Sequence, residues 1–250
     1  MGKYKINSVS DNGVFVVTES FIKLCNILKS LKNNRGKIIH VIGAPGTGKS
    51  ANIYAALEEL DLNIYDVESP IKDDTISSRE VFNGVYKKIK DDIGAGSKEE
   101  VFKSLASYDA VLFADRFHDS HLMDNETVGF SVWTTNTGFK AISFYLICIF
   151  EYFKERNAFK TINIILQTAW RFNFREKKYD IFSDLGIVST LFVALMRIFF
   201  DVVVISYSPQ ETFEIVKSHI NTDDKLIERY IHKYGSKPRS ICEALERKVS

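Results

Sequence analysis

Residues Gly43-Ala44-Pro45-Gly46-Thr47-Gly48-Lys49-Ser50 form a complete G-x-x-x-x-G-K-[ST] string. Those residue types at that spacing suit one chemistry, the cradling of a polyphosphate. Glycine lets the backbone wrap closely around an anion and turn its N–H groups toward it. Lys49 is placed to reach the terminal phosphates, and the Ser50 hydroxyl to ligate Mg²⁺. The backbone from Gly43 to Ala51 is the expected nucleotide-binding segment, and the helix that follows aims its positive end at the same anion. Within it, Thr47→Ala is expected to matter little.

A phosphate loop also needs an acid that organises the metal, at the end of a neighbouring strand. Ala110-Val111-Leu112-Phe113-Ala114-Asp115 is an apolar run ending in Asp, the Walker B pattern, so Asp115 joins Ser50 as an expected Mg²⁺ holder. Many ATPases place Glu next, to orient the attacking water. Here the next residue is Arg116, and a cation cannot accept the water's proton. Asp119 and Glu126 lie downstream as substitutes. A second apolar run, Ile162 to Leu166, ends in Gln167 and Thr168. Ligands of open α/β sheets sit at the carboxyl edge of the strands, where either side chain could touch the γ-phosphate or the water; a turn or cap role is the alternative. Arg197 stands among apolar residues and needs a partner. Asp201, four residues on, is one option, and a phosphate on a neighbouring subunit is the other. Arg239 precedes a helical segment, Ile241 to Lys248, and is placed either to project toward a nucleotide or to sit in solvent.

The elements that must position these residues follow from periodicity. Thr18 to Lys32 reads as a helix with the stripe Phe21, Leu24, Cys25, Leu28 and Leu31. Strand-type runs at 37–42, 62–67, 110–114, 161–166 and 202–206 alternate with helical patterns at 51–60, 77–93, 98–105, 138–156 and 184–200. Residues 116–138 are polar and read as a functional loop. Strands alternating with helices predict an α/β fold, a parallel sheet flanked by helices. Only helical signals remain after Pro209, which predicts a nucleotide-binding core over residues 1–207 and a small all-helical lid over 208–250.

The chain of 250 residues is 45% hydrophobic and 26% charged, with a net charge of +1. That balance makes no global case for nucleic acid. Arg171, Phe172, Phe174, Arg175, Lys177, Lys178 and Tyr179 interleave basic and aromatic residues, and nucleic acid stays open as a partner there. Cys25, Cys148 and Cys242 are too widely spaced for a metal site and read as buried thiols in a reducing compartment. Met1–Lys5 carries no apolar signal core, and Arg197 and Asp201 interrupt the most apolar stretch. A cytoplasmic protein without a membrane span is expected.

The order of these parts resembles the AAA+ ATPases over roughly residues 18–250. The string from Gly43 to Ser50 has that family's favoured G-x-P-G-T-G-K-[ST] form. Asp115 matches the Walker B Asp, Arg197 looks like the arginine finger, and Ser208-Pro209 looks like the turn into the helical lid. Gly235-Ser236-Lys237-Pro238-Arg239 looks like the sensor-2 motif, with Arg239 as its arginine. The resemblance implies ATP and Mg²⁺ as cofactors, hydrolysis coupled to core–lid motion, self-association and an unidentified macromolecular client. Arg116 and the absent sensor Asn depart from the pattern. They leave two alternatives open, a hydrolysis-poor nucleotide-gated interaction module and a P-loop kinase.

Overall fold

The computed structural model describes residues 15–44, 46–66, 78–113, 150–151, 153–168, 171–174, 177–180, 182 and 184–249. Helix α1 spans Glu19–Leu28, and a 3₁₀ turn at Lys29–Lys32 continues it. The Thr18 hydroxyl caps α1 by accepting from the Phe21 N–H at 3.2 Å. Strand β1 (Ile38–Ile42) leads through the glycine-rich loop into α2 (Lys49–Glu59). Strand β2 is Asn63–Asp66, followed by α3 (Ser78–Ile93) and α4 (Lys98–Ser107). Ser97 and Glu100 start α4 with a reciprocal capping box. Strand β3 (Ala110–Phe113), the single turn α5 (Arg156–Phe159) and β4 (Asn163–Thr168) come next.

Two short strands, β5 (Arg171–Phe174) and β6 (Lys177–Asp180), pair antiparallel as a hairpin. The sequence reading had no strands there, because a mixed basic and aromatic segment shows neither period clearly. Helix α6 (Ile187–Phe199), strand β7 (Asp201–Val204) and helices α7 (Pro209–His219), α8 (Asp224–Tyr234) and α9 (Pro238–Val249) complete the order. Much of the predicted helix at 138–156, and the polar segment 116–138, lie outside the described residues.

The main sheet has the order β2-β3-β4-β1-β7, with every pair parallel. Alternation along β1 divides its side chains between two layers. Ile39 and Val41 join Leu24, Leu28, Ile53, Leu57 and Phe113 beneath α1 and α2. On the other face Ile162 and Ile164 pack with Ile89, Val101 and Leu105 of α3 and α4, while Ile42 packs with Val193 of α6. Buried Asn163 pins the start of β4. Its amide nitrogen donates to the Asn34 carbonyl at 2.8 Å, and its carbonyl accepts from the Lys37 N–H at 3.1 Å. Helices α7, α8 and α9 enclose their own small core of Val216, Ile227, Ile241 and Leu245.

Helix α6 occupies the stretch predicted as helical at 184–200. Its inner face, with Ser189 and Val193, is covered. Its outer face leaves Ile187, Ile198 and Phe199 exposed at 81%, 71% and 72%, with Leu191 and Leu195 also exposed. No helix among the described residues is long and apolar enough to cross a membrane.

His40 lies in the middle of β1, buried, with its ring 4.6 Å from that of Phe200. Burial lowers its pKa from 6.5 to about 4. Between those values the unfolded chain takes up a proton that the folded chain refuses, so stability falls as pH drops through that window. The loss is on the order of 3 kcal/mol when complete. Thermal midpoints measured from pH 7 to 4.5 should fall more steeply for the wild type than for His40→Leu; parallel curves would refute this assignment.

Candidate functional site

Strand β1 is flanked by β4 on one side and β7 on the other, so the loop after it opens at the carboxyl edge of three parallel strands. Gly43 is obligatory by proximity, since a Cβ there would sit 2.6 Å from the Ile205 carbonyl oxygen. Gly48 caps α2 in the left-handed region at φ 70°, a conformation open to glycine at little cost. The first turn of α2 therefore begins at Lys49, with its free N–H groups facing the loop.

Lys49 is buried, and its amine donates to the carbonyls of Gly43 at 2.9 Å and Ala44 at 3.1 Å. Thr47 is buried too. Its hydroxyl donates to the Ala44 carbonyl at 2.8 Å, so it shapes the loop. The Ser50 hydroxyl donates to Gln167 Oε1 at 2.9 Å. The structure thus joins the expected metal ligand to the tip of β4. The Thr168 backbone lies level with Ile42 at the end of β1; its side chain lies outside the described residues, as do Pro45 and Asp115. The strand leading to Asp115, β3, stops at Phe113 and runs parallel to β4.

The helical C-terminal region touches the loop directly. The Arg239 N–H donates to the Gly46 carbonyl at 3.2 Å. The Arg239 Cβ lies 3.3 Å from where a Cβ on Gly46 would stand, and its side chain is exposed. The same segment reaches the sheet's flank, where Lys237 Nζ lies 3.4 Å from Asp184 Oδ2. Glu211 closes a capping box on Ser208 and also accepts from the Glu19 N–H at 2.9 Å, tying α7 to α1. The Ser208 backbone N–H holds the Glu211 carboxyl below its ordinary pKa.

Arg197 is not brought to the loop of its own chain. It precedes β7 at the amino edge of the sheet, while the loop opens at the carboxyl edge. Its suggested partner Asp201 is taken by Lys37, with Nζ and Oδ2 3.0 Å apart; Lys37 starts the strand next door and reaches across more directly than a residue on α6. Two contributors escaped the sequence reading, Tyr207 and Asn52. The Tyr207 hydroxyl donates to the Thr47 carbonyl at 2.7 Å and accepts from Asn52 Nδ2 at 2.8 Å. A polar-tipped aromatic just past the last strand, beside the loop strand, was the available signal. Among the described residues no group of His, Cys, Asp and Glu forms a metal cluster, and both described thiols, Cys25 and Cys242, are free.

No family model and no curated protein matches the sequence. Among solved structures, Cdc6p from Pyrobaculum aerophilum superposes with a TM-score of 0.50 at 13% identity, covering 96% of this chain and 63% of that one. The Thermotoga maritima RuvB Holliday junction branch migration motor matches with a TM-score of 0.45 at 14% identity, over 95% of this chain and 64% of the motor. The chain thus spans less than two thirds of the length of either protein. At such identity the likeness to Cdc6p concerns architecture, and the architecture agrees with the parallel sheet, the phosphate loop and the trailing helices. The chain thus has an α/β fold like that of Cdc6p, a parallel five-stranded sheet flanked by helices with a helical C-terminal region.

Proposed function

We propose that this chain binds ATP with Mg²⁺ at residues 43–51 and hydrolyses it, coupling the nucleotide state to motion between a core (residues 1–207) and a helical lid (208–250). The observation that carries the reading is the wound loop itself, which begins where only glycine fits, ends on a left-handed helix cap and carries a buried lysine. Those features fit a polyphosphate, because the bare Gly43 lets the loop turn against the Ile205 carbonyl and the helix start supplies N–H donors. Ser50 and Asp115 would hold Mg²⁺, which would offset the charge of the phosphates. Lys49 neutralises the phosphates, Gln167 or Thr168 orients the water, and Arg239 reaches the nucleotide from the lid.

Arg197 acts in this reading on the nucleotide of a second copy, since its own loop lies at the opposite edge of the sheet. Self-association is supported by α6, whose exposed outer stripe flanks Arg197. It presents on the order of several hundred Å² of apolar surface, a size that marks an interaction site. The client is a macromolecule of undetermined class; phosphate release with and without added DNA tests nucleic acid. The setting is cytoplasmic. Arg116 favours a second reading, in which turnover is so slow that bound ATP holds a partner-binding state.

Lys49→Ala should abolish ATP binding by calorimetry, whereas Thr47→Ala should weaken it only several-fold, about one hydrogen bond's worth. Wild-type affinity in the Lys49 variant would sink the proposal. Turnover per chain should rise with protein concentration. Arg197→Ala should bind ATP normally yet lose turnover by on the order of 10³-fold. Mixing it with Lys49→Ala should restore part of that activity, because one variant keeps the loop and the other the arginine. A mixture as inactive as its components would count against a shared site.

A further inference from the structure

A loop that turns its N–H groups toward a phosphate turns its carbonyls outward, and each carbonyl needs a donor. Three consecutive loop carbonyls are held from outside. Gly46 accepts from the Arg239 N–H at 3.2 Å. Thr47 accepts from the Tyr207 hydroxyl at 2.7 Å. Gly48 accepts from Asn52 Nδ2 at 2.9 Å, beside the ordinary helical bond from the Asn52 N–H. The second hydrogen of that amide goes to the Tyr207 oxygen at 2.8 Å. The phenol therefore accepts from Asn52 and has one proton to give, and it gives it to Thr47. Burial pushes the Tyr207 pKa up to about 12, which keeps that donor intact at any working pH.

Two of these three grips do not come from the loop's own strand or helix. Tyr207 lies on the connection between β7 and α7, directly before the Ser208 cap. Arg239 is the second residue of α9. Any rotation of the C-terminal helices relative to the sheet must pull on the Gly46 and Thr47 carbonyls, and any rewinding of the loop must pull on the helices. We propose that Tyr207, held by Asn52, is a positioning residue that ties the phosphate loop to the connection carrying the C-terminal helices, so that each responds to the state of the other. The coupling to nucleotide rests on the ATP-binding reading above; the bracing of the loop does not.

Tyr207→Phe keeps the ring and removes the hydroxyl, and amide hydrogen exchange reads the result. Without nucleotide, the variant should exchange the Thr47–Ser50 amides faster than wild type. With saturating Mg·ATP, wild type should slow exchange in the loop, in α7 and in α9, while the variant should slow it in the loop and, through the remaining Arg239–Gly46 bond, in α9, but no longer in α7. Its affinity should fall by on the order of 3- to 10-fold. A merely structural role would lower global stability without separating loop from helices. Identical exchange patterns and affinity in the two proteins would overturn the proposal. Should Tyr207→Phe fail to fold, Asn52→Ala tests the support of the phenol, with a smaller change of the same sign expected because the Tyr207–Thr47 bond remains; unchanged exchange in the loop and in α7 would overturn the proposal. Failure of the wild type to bind ATP would sink the nucleotide reading alone, since the nucleotide-free exchange still decides whether Tyr207 braces the loop.

Discussion

A backbone segment that presents N–H groups to an anion has to satisfy its carbonyls elsewhere, and much of this molecule answers that requirement. The loop between β1 and α2 achieves its turn with glycines at the points of closest approach, Gly43 against Ile205 and Gly46 against Arg239. Its outward carbonyls then draw in Lys49, Thr47, Tyr207, Asn52 and the start of α9. Each neutral bond of this kind contributes only about 1 kcal/mol, but a buried carbonyl left without a donor costs more than that. The set therefore acts as a condition on the loop's shape more than as a sum of contacts.

The sheet makes that loop possible by burying β1 between parallel neighbours. Both faces of β1 are apolar except at His40, and helices cover them on two sides. Parallel pairing puts the ends of β1, β4 and β7 at one edge, so Ser50 and Gln167, 117 residues apart in sequence, meet at 2.9 Å. The same geometry sends Arg197 to the opposite edge. Arg197 there sits on a helix whose outer face leaves Ile187, Ile198 and Phe199 exposed.

Much of the fold was legible because its signals are local. The strand–loop–helix unit at 37–60 declared itself through glycine spacing and the switch from a short apolar run to helical period, and the trailing helices through the helical signals that alone remain from Pro209 onward. The hairpin at 171–180 was not legible, since each strand is only four residues long and the alternation of Phe172 and Phe174 was read as part of a basic and aromatic cluster. The partner of Asp201 was misjudged because helical spacing favours Arg197, while pairing of β1 with β7 brings in Lys37. Tyr207 and Asn52 were missed for a related reason: a hydrogen bond to a backbone carbonyl depends on where the chain passes, which side-chain types signal only weakly. Motif logic weighs side chains that touch a ligand and overlooks those that hold the loop, such as Thr47, whose hydroxyl donates to the Ala44 carbonyl.

The central claim is that residues 43–51 form a nucleotide cradle, and the most direct test is amide hydrogen exchange on the wild-type chain titrated with Mg·ATP. Saturable slowing centred on the Gly46–Ala51 amides, absent with Mg²⁺ alone, is the result this account predicts. Exchange in that segment unchanged at millimolar Mg·ATP, or protection confined to another part of the molecule, would contradict it.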